Sequence, residues 1–100
     1  MDTVCGGASK TQVATPEIQQ LCDKVKHDAL KQAGVTFKMF VAKSFISQVV
    51  AGTNYFIKAQ VGDHDFVHLK VFQSLPCYGH KVELIAIQTK KTLDDTITMF

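Results

Sequence analysis

The sequence of 100 residues contains no arginine and no long apolar segment. Its eleven lysines are scattered along the chain, and the formal net charge is only +2. Nucleic-acid binding is typical of basic residues clustered with interleaved aromatics, and the sequence has no such cluster. No segment approaches the roughly 20 consecutive apolar residues that a membrane-spanning helix needs. We therefore expect neither a nucleic acid nor a membrane as a partner.

The amino-terminal residues 1–7 lack the basic start and the apolar core of a signal peptide. The three cysteines, Cys5, Cys22 and Cys77, cannot all pair within one chain. Without a signal peptide, we expect reduced thiols and a cytoplasmic protein, with the nucleus as a further location. The cysteine spacing matches neither a metal site nor a redox pair, so we expect no metal and no cofactor.

One hundred residues is about the size of one compact domain, and we expect a single domain over residues 1–100. A chain this short leaves little room for a deep catalytic cleft, which favours a binding protein over an enzyme. Cys77 and His80 could suggest a nucleophile and its base. Both fall in one short predicted loop without a third, orienting group, so we expect no catalytic residue.

The chain from Thr15 to Gly34 carries the signals of an α-helix. Thr15 can cap the helix, Pro16 suits the first helical position, and Gly34 can end it. Apolar residues between them recur at helical spacing and form one stripe, namely Ile18, Leu21, Cys22, Val25 and Ala29. The preceding residues 1–14 are small and polar, and we expect them to be flexible or at best to form a short strand.

Everything after the helix is typical of β-structure. We predict strands over 36–47, 53–61, 66–72 and 82–89, with a turn at 62–65 and a loop at 73–81. Consecutive strands joined by short connections pair antiparallel, and one helix is available to cover one face. The prediction is an α+β fold in which one α-helix packs across a four- to five-stranded antiparallel β-sheet.

The alternation within the predicted strands assigns residues to faces. Val82, Leu84 and Ala86 are expected on one face of the last strand. Phe56, Phe66 and Phe72 fall on the outer face or near its edges, and so much exposed aromatic surface would indicate a partner or self-association.

The segment Gln48-Val49-Val50-Ala51-Gly52 lies between two predicted strands but has unusual residues for a turn. Hairpin turns favour Asn-Gly or Asp-Gly, whereas β-branched residues are unfavourable at positive φ. Two interpretations follow. Either the valines simply finish the first strand and Ala51-Gly52 turn, or the tip is apolar because it enters a cleft of a partner.

Two other segments are expected near this tip. Leu75-Pro76 sits in the loop that connects the last two strands, which in a meander lies at the same edge of the sheet. The amino-terminal residues Val4, Cys5 and Gly6 can reach that edge as well. Together these segments would form an apolar wedge, which suits a groove of a partner better than it suits catalysis.

These residues also carry a resemblance to a known family. Residues 48–52 match the central motif of the cystatins, and residues 47–58, 61–63, 66–69 and 71–76 continue the likeness to the type 1 cystatins, or stefins. Cys5-Gly6 and the C-terminal Phe100 fit as well, so that the resemblance covers essentially the whole chain.

The resemblance implies a reversible, non-covalent inhibitor of papain-like cysteine proteases of the cathepsin B, H, L and S class. Residues 1–8 would form an inhibitory trunk along the unprimed subsites, with Val4, Cys5 and Gly6 in contact. Gln48, Val49, Val50, Ala51 and Gly52 would lie over the catalytic cysteine, and Leu75 and Pro76 would cover the primed side. The expected state is a monomer. The alternative is a domain-swapped, non-inhibitory dimer, formed if strain at Val49-Val50 opens that loop into one strand.

Overall fold

The computed structural model describes residues 7–100. Those residues contain one α-helix, a short 3-10 helix and five β-strands. In chain order these are β1 (Gln12–Val13), α1 (Pro16–Ala33), β2 (Val41–Val50), β3 (Gly52–Gln60), β4 (Phe66–Gln73), the 3-10 helix (Pro76–Tyr78) and β5 (Val82–Lys91). The strands form a single sheet in the order β1-β2-β3-β4-β5, each antiparallel to the next. The predicted α+β fold is confirmed, with five strands.

Helix α1 begins and ends where the sequence predicts. The Thr15 hydroxyl accepts a hydrogen bond from the Ile18 amide at 3.3 Å, which satisfies one free amide of the first turn. Gly34 ends the helix at φ 71°, and its amide donates to the Leu30 carbonyl at 3.0 Å. The predicted apolar stripe is buried, and it packs on the sheet together with residues of β2 to β5.

The start of β2 differs from the prediction. Residues 36–40 are not a strand, and β2 begins only at Val41. Phe37 and Phe40 instead stack their rings at 5.5 Å between centroids, and the Lys38 amide donates to the Val61 carbonyl at 3.0 Å. These tertiary contacts replace the extended conformation that the apolar composition suggests.

The face of the sheet away from α1 also differs from the prediction, because residues 92–100, here called the C-terminal strap, cover part of it. Phe56 is only 1% exposed, packed with Ile46 and Ile97. The ring of Phe100 meets that of Phe56 edge-on at 5.6 Å. Phe66 is buried as well and Phe72 is half-buried. The expectation of exposed phenylalanines is therefore wrong for Phe56 and Phe66, whereas Phe72 is partly exposed.

A β-bulge at Ile85 changes the face of the sheet on which the following residues of β5 lie. Leu84 pairs with Val71 and Ala86 pairs with Lys70, so that Ile85 has no partner residue of its own in β4. One extra residue reverses the alternation that follows it. Ala86 consequently leaves the face of Leu84, contrary to the prediction, and Ile87 packs against the helix-side core instead.

Within residues 7–100, no helix is both long enough and apolar enough to cross a membrane.

Candidate functional site

The turn between β2 and β3 is narrow and apolar. Val49 and Val50 belong to β2, where they pair with Thr53 and Gly52, so that only Ala51 lies between the paired residues. The interpretation in which the valines finish the strand is thus correct for their backbone. Their side chains nevertheless remain 54% and 39% exposed. The tip therefore presents apolar surface without being an irregular loop.

Gly52 supplies the conformation that closes the turn. Its φ is +123°, which a residue with a Cβ adopts only with strain. A Cβ at this position would stand 2.6 Å from the Gln73 carbonyl oxygen and 2.7 Å from the ring of Phe72. Val49 and Val50 are not among the described residues with positive φ, and the unusual backbone angle of the turn falls on Gly52.

The loop between β4 and β5 is held by its own hydrogen bonds. The amides of Tyr78 and His80 both donate to the Leu75 carbonyl, at 2.9 and 3.3 Å. At the base of the loop, the Ser74 amide donates to the Lys81 carbonyl at 2.8 Å, and the Lys81 amide donates to the Ser74 hydroxyl at 2.7 Å. Pro76 begins the 3-10 helix, and the side chain of Leu75 stays 38% exposed. Leu75 and Pro76 thus lie on an ordered surface.

The turn and the loop are neighbours, as the sequence predicts. Thr53, at the beginning of β3, pairs with Gln73, the last residue of β4. The β2–β3 turn and the β4–β5 loop consequently emerge from the same end of the sheet, which we call the turn end. Next to the turn, a side-chain hydrogen bond links β2 and β3. The Asn54 side-chain amide donates to the Gln48 side-chain oxygen at 3.1 Å.

The amino-terminal segment, residues 1–11, is described only from Gly7. The predicted contact residues Val4, Cys5 and Gly6 lie outside the described residues. Ala8 forms an antiparallel bridge with Gln48, and the Ser9 amide donates to the Ser47 carbonyl at 2.8 Å. Because this pairing is antiparallel to β2, the chain at Ala8 runs from the turn end.

Comparison with known proteins identifies the family. The model of the Cystatin domain matches residues 6–94. Cystatin-B of Oplegnathus fasciatus is 46% identical over 100 residues, covering all of both chains. Cystatin-B of Homo sapiens is 50% identical over 97 residues, which are 97% of this chain and 99% of that protein. The chain belongs to the cystatin family. The likeness to the stefins is confirmed, because both of these relatives are cystatin B, which is also called stefin B.

Cystatins are inhibitors of cysteine proteases and not enzymes. The expectation of a non-enzymatic binding protein is therefore confirmed by the family. Among residues 7–100 of this cystatin, no group of three or more His, Cys, Asp or Glu side chains is placed to hold a metal ion.

One exposed aromatic residue of the turn end was not among the predicted contact residues. Tyr78 lies in the 3-10 helix after Leu75-Pro76 and is 66% exposed. In the sequence, Tyr78 is an aromatic residue in a loop bounded by Pro76 and Gly79. A loop of this kind offers no core position, so the pattern indicates an exposed ring. Tyr78 adds apolar and hydrogen-bonding surface to this side of the cystatin.

Proposed function

We propose that this cystatin is a reversible, tight-binding inhibitor of papain-like cysteine proteases of the cathepsin B, H, L and S class, and that it occludes their active-site cleft with a three-part wedge. One observation carries the proposal. The exposed valines of the β2–β3 turn project from the same end of the sheet as Leu75. Apolar side chains gathered on one narrow edge fit a groove, where they become buried.

Each part of the wedge has its own place in the cleft. Residues 48–52 form the centre, over the catalytic cysteine of the protease. Leu75 and Pro76 cover one side, and Tyr78 extends that surface. Val4, Cys5 and Gly6 occupy the other side, in keeping with the direction that the chain takes at Ala8.

The turn suits inhibition without cleavage. A protease attacks a peptide bond of a segment that lies extended in its cleft. Val50 and Gly52 pair with each other across the β2–β3 turn, with Ala51 alone between them. The backbone folds back on itself at Ala51, and Val49 and Val50 are already paired within the sheet, so no peptide bond of the tip is free to lie extended along the cleft. We therefore propose that binding is non-covalent.

Order within the wedge supports tight binding. The β4–β5 loop is fixed by hydrogen bonds at Ser74 and Leu75 before any partner arrives. The β2–β3 turn is fixed by strand pairing and by the close approach of Gly52 to β4. Surfaces that are ordered in advance lose little conformational entropy on binding, and this raises affinity.

Titration of active papain with the monomer, isolated by size exclusion, tests the proposal. We expect stoichiometric inhibition. Val50→Asp should weaken it by about 30-fold or more, because a carboxylate would be buried in an apolar part of the cleft. Val41→Asp is a matched control, since Val41 lies at the opposite end of β2 and is 38% exposed against 39% for Val50. Failure of the wild-type monomer to inhibit papain, or equal losses in both variants, would refute the proposal.

The oligomeric state and the location are part of the same proposal. We propose that the inhibitory form is the monomer and that it acts in the cytoplasm. The domain-swapped, non-inhibitory dimer stays a prediction, although neither Val49 nor Val50 takes a positive φ. Comparison of the monomer and dimer fractions in the papain titration tests that alternative.

A further inference from the structure

The two ends of the described chain pack against one small apolar cluster. Ile46, Phe56 and Ile97 form this cluster on the sheet face opposite α1, and all three are buried. Ala8, from the amino-terminal segment, and Phe100, from the C-terminal strap, both pack against it. The cluster therefore joins the strap to the segment that leads into the proposed amino-terminal part of the wedge.

The strap is fixed to the sheet at both ends. Near its start, the buried ammonium group of Lys58 donates to the carbonyls of Leu93 and Asp95. The turn that follows β5 is closed by the Thr92 amide, which donates to the Asp95 carboxylate at 2.7 Å. Further along the strap, Ile97 enters the cluster and the ring of Phe100 lies against Phe56.

The amino-terminal segment has fewer attachments of its own. The Ser9 amide donates to the Ser47 carbonyl at 2.8 Å, and the Ser47 amide donates to the Ser9 hydroxyl at 3.0 Å. Strand β1, which follows, has only two residues. Few and partly exposed hydrogen bonds open readily. The position of this segment therefore depends on the packing of Ala8 against the cluster, to which the strap contributes Ile97.

We propose that the C-terminal strap positions the amino-terminal segment: Ile97 and Phe100 hold Ala8 against β2, and this placement of Ala8 supports the amino-terminal contact with the protease. The second half of this inference rests on the proposed function. The first half concerns only the free protein. Ile97 and Phe100 act through Ala8 and are positioning residues without contact to the protease.

Hydrogen exchange of the Ser9 amide in the free protein tests the first half. Ile97→Ala, or Phe100→Ala if the first variant folds poorly, should raise the exchange rate of this amide about tenfold or more, since the cluster loses a member. Leu93→Ala is the control, because Leu93 belongs to the same strap but its side chain is 60% exposed. Unchanged exchange at Ser9 in folded Ile97→Ala and Phe100→Ala would overturn the inference.

A double-mutant cycle with papain tests the second half. Ile97→Ala should weaken inhibition of papain by about threefold to tenfold, because Ala8 and Ser9 would then have to be ordered on binding. In the Gly6→Arg background, in which the amino-terminal contact is already disrupted, the same substitution should have no further effect. Equal losses in both backgrounds would show that the strap does not act through this segment.

The two readouts separate the inference from the proposed function. If wild-type chain does not inhibit papain, the proposed function fails, and exchange at Ser9 still decides whether the strap holds Ala8. If inhibition is stoichiometric but Ile97→Ala leaves both Ser9 exchange and inhibition unchanged, the proposed function stands and the inference fails.

Discussion

Gly52 approaches Gln73 so closely that a Cβ at Gly52 would stand 2.6 Å from the Gln73 carbonyl oxygen. This approach packs the β2–β3 turn against the end of β4, directly before the loop that carries Leu75 and Pro76. The relative position of the two loops therefore depends on the absence of a side chain at one residue. Gly52 is a structural requirement of the turn end as well as a predicted contact residue.

Gly52→Ala should destabilise the fold and distort the turn end. The substitution combines a strained backbone angle with a collision against the backbone of β4, which cannot yield as a flexible side chain would. We expect a loss of about 3 kcal/mol or more in the free energy of unfolding, measured by urea denaturation. Inhibition of papain by the fraction that remains folded should fall as well.

Gly79→Ala is the matched control for this substitution. Gly79 has a φ of +87°, but the nearest atom to its added Cβ would be the Lys81 Cγ, at 4.0 Å. Strain of the backbone alone should cost about 1–2 kcal/mol. Equal losses in the two variants would show that the close approach to Gln73 has no energetic importance.

The buried imidazole of His68 should make stability depend on pH. His68 is fully buried, and neither ring nitrogen has a hydrogen-bond partner. Burial, together with the charges of Lys58 on β3 and Lys91 on β5, lowers the pKa of His68 from 6.5 to about 4, against the opposing effect of Asp95 in the strap. At pH values between about 4 and 6.5, His68 therefore binds a proton in the unfolded chain but not in the folded chain.

Stability should therefore fall as the pH falls from about 6.5 to about 4. The loss attributable to His68 is on the order of 3 kcal/mol, from 1.36 kcal/mol for each pKa unit. Urea denaturation at pH 7 and pH 4.5 measures it. His68→Leu should remove most of the difference between the two pH values, whereas His64→Leu, at an exposed position in the β3–β4 turn, should retain it. A difference that persists in His68→Leu would contradict this assignment.

The two described cysteines should react at very different rates. Cys22 is buried in the helix-side core, and burial, followed by the charge of Asp23, raises the pKa of its thiol to about 12. Cys77 is exposed in the 3-10 helix. The thiolate is the reactive form, so iodoacetamide should modify Cys77 in the native protein and leave Cys22 intact. Peptide mapping by mass spectrometry checks this, and modification of native Cys22 at the rate of Cys77 would contradict the structure.

The sequence predicts best those elements whose signals are local. Thr15, Pro16 and Gly34 mark the ends of α1, and the alternation in β3 and β4 gives their bounds to within a residue or two. The neighbouring positions of residues 49–50 and 75–76 followed from the meander alone. These features depend on capping, periodicity and short connections, all of which are properties of nearby residues.

Features that depend on distant contacts were not predicted. Phe56 shares its strand face with Lys58, and this local pattern is typical of an exposed face. Ile97 and Phe100 nevertheless cover Phe56, although they lie 41 and 44 residues away in the sequence. Lys58 itself is buried because two carbonyls of the strap accept its hydrogen bonds. The bulge at Ile85 left no local signal either.

The most direct test of the proposed wedge is a hydrogen-exchange footprint of the isotopically labelled chain with and without papain. We predict that papain slows exchange at residues 48–52 and 74–78, which lie at the turn end, and also in the amino-terminal segment. The β3–β4 turn at 62–65, at the opposite end of the sheet, should be unaffected. Slower exchange at 62–65 with no change at 48–52 would contradict the proposal that the turn end enters the protease cleft.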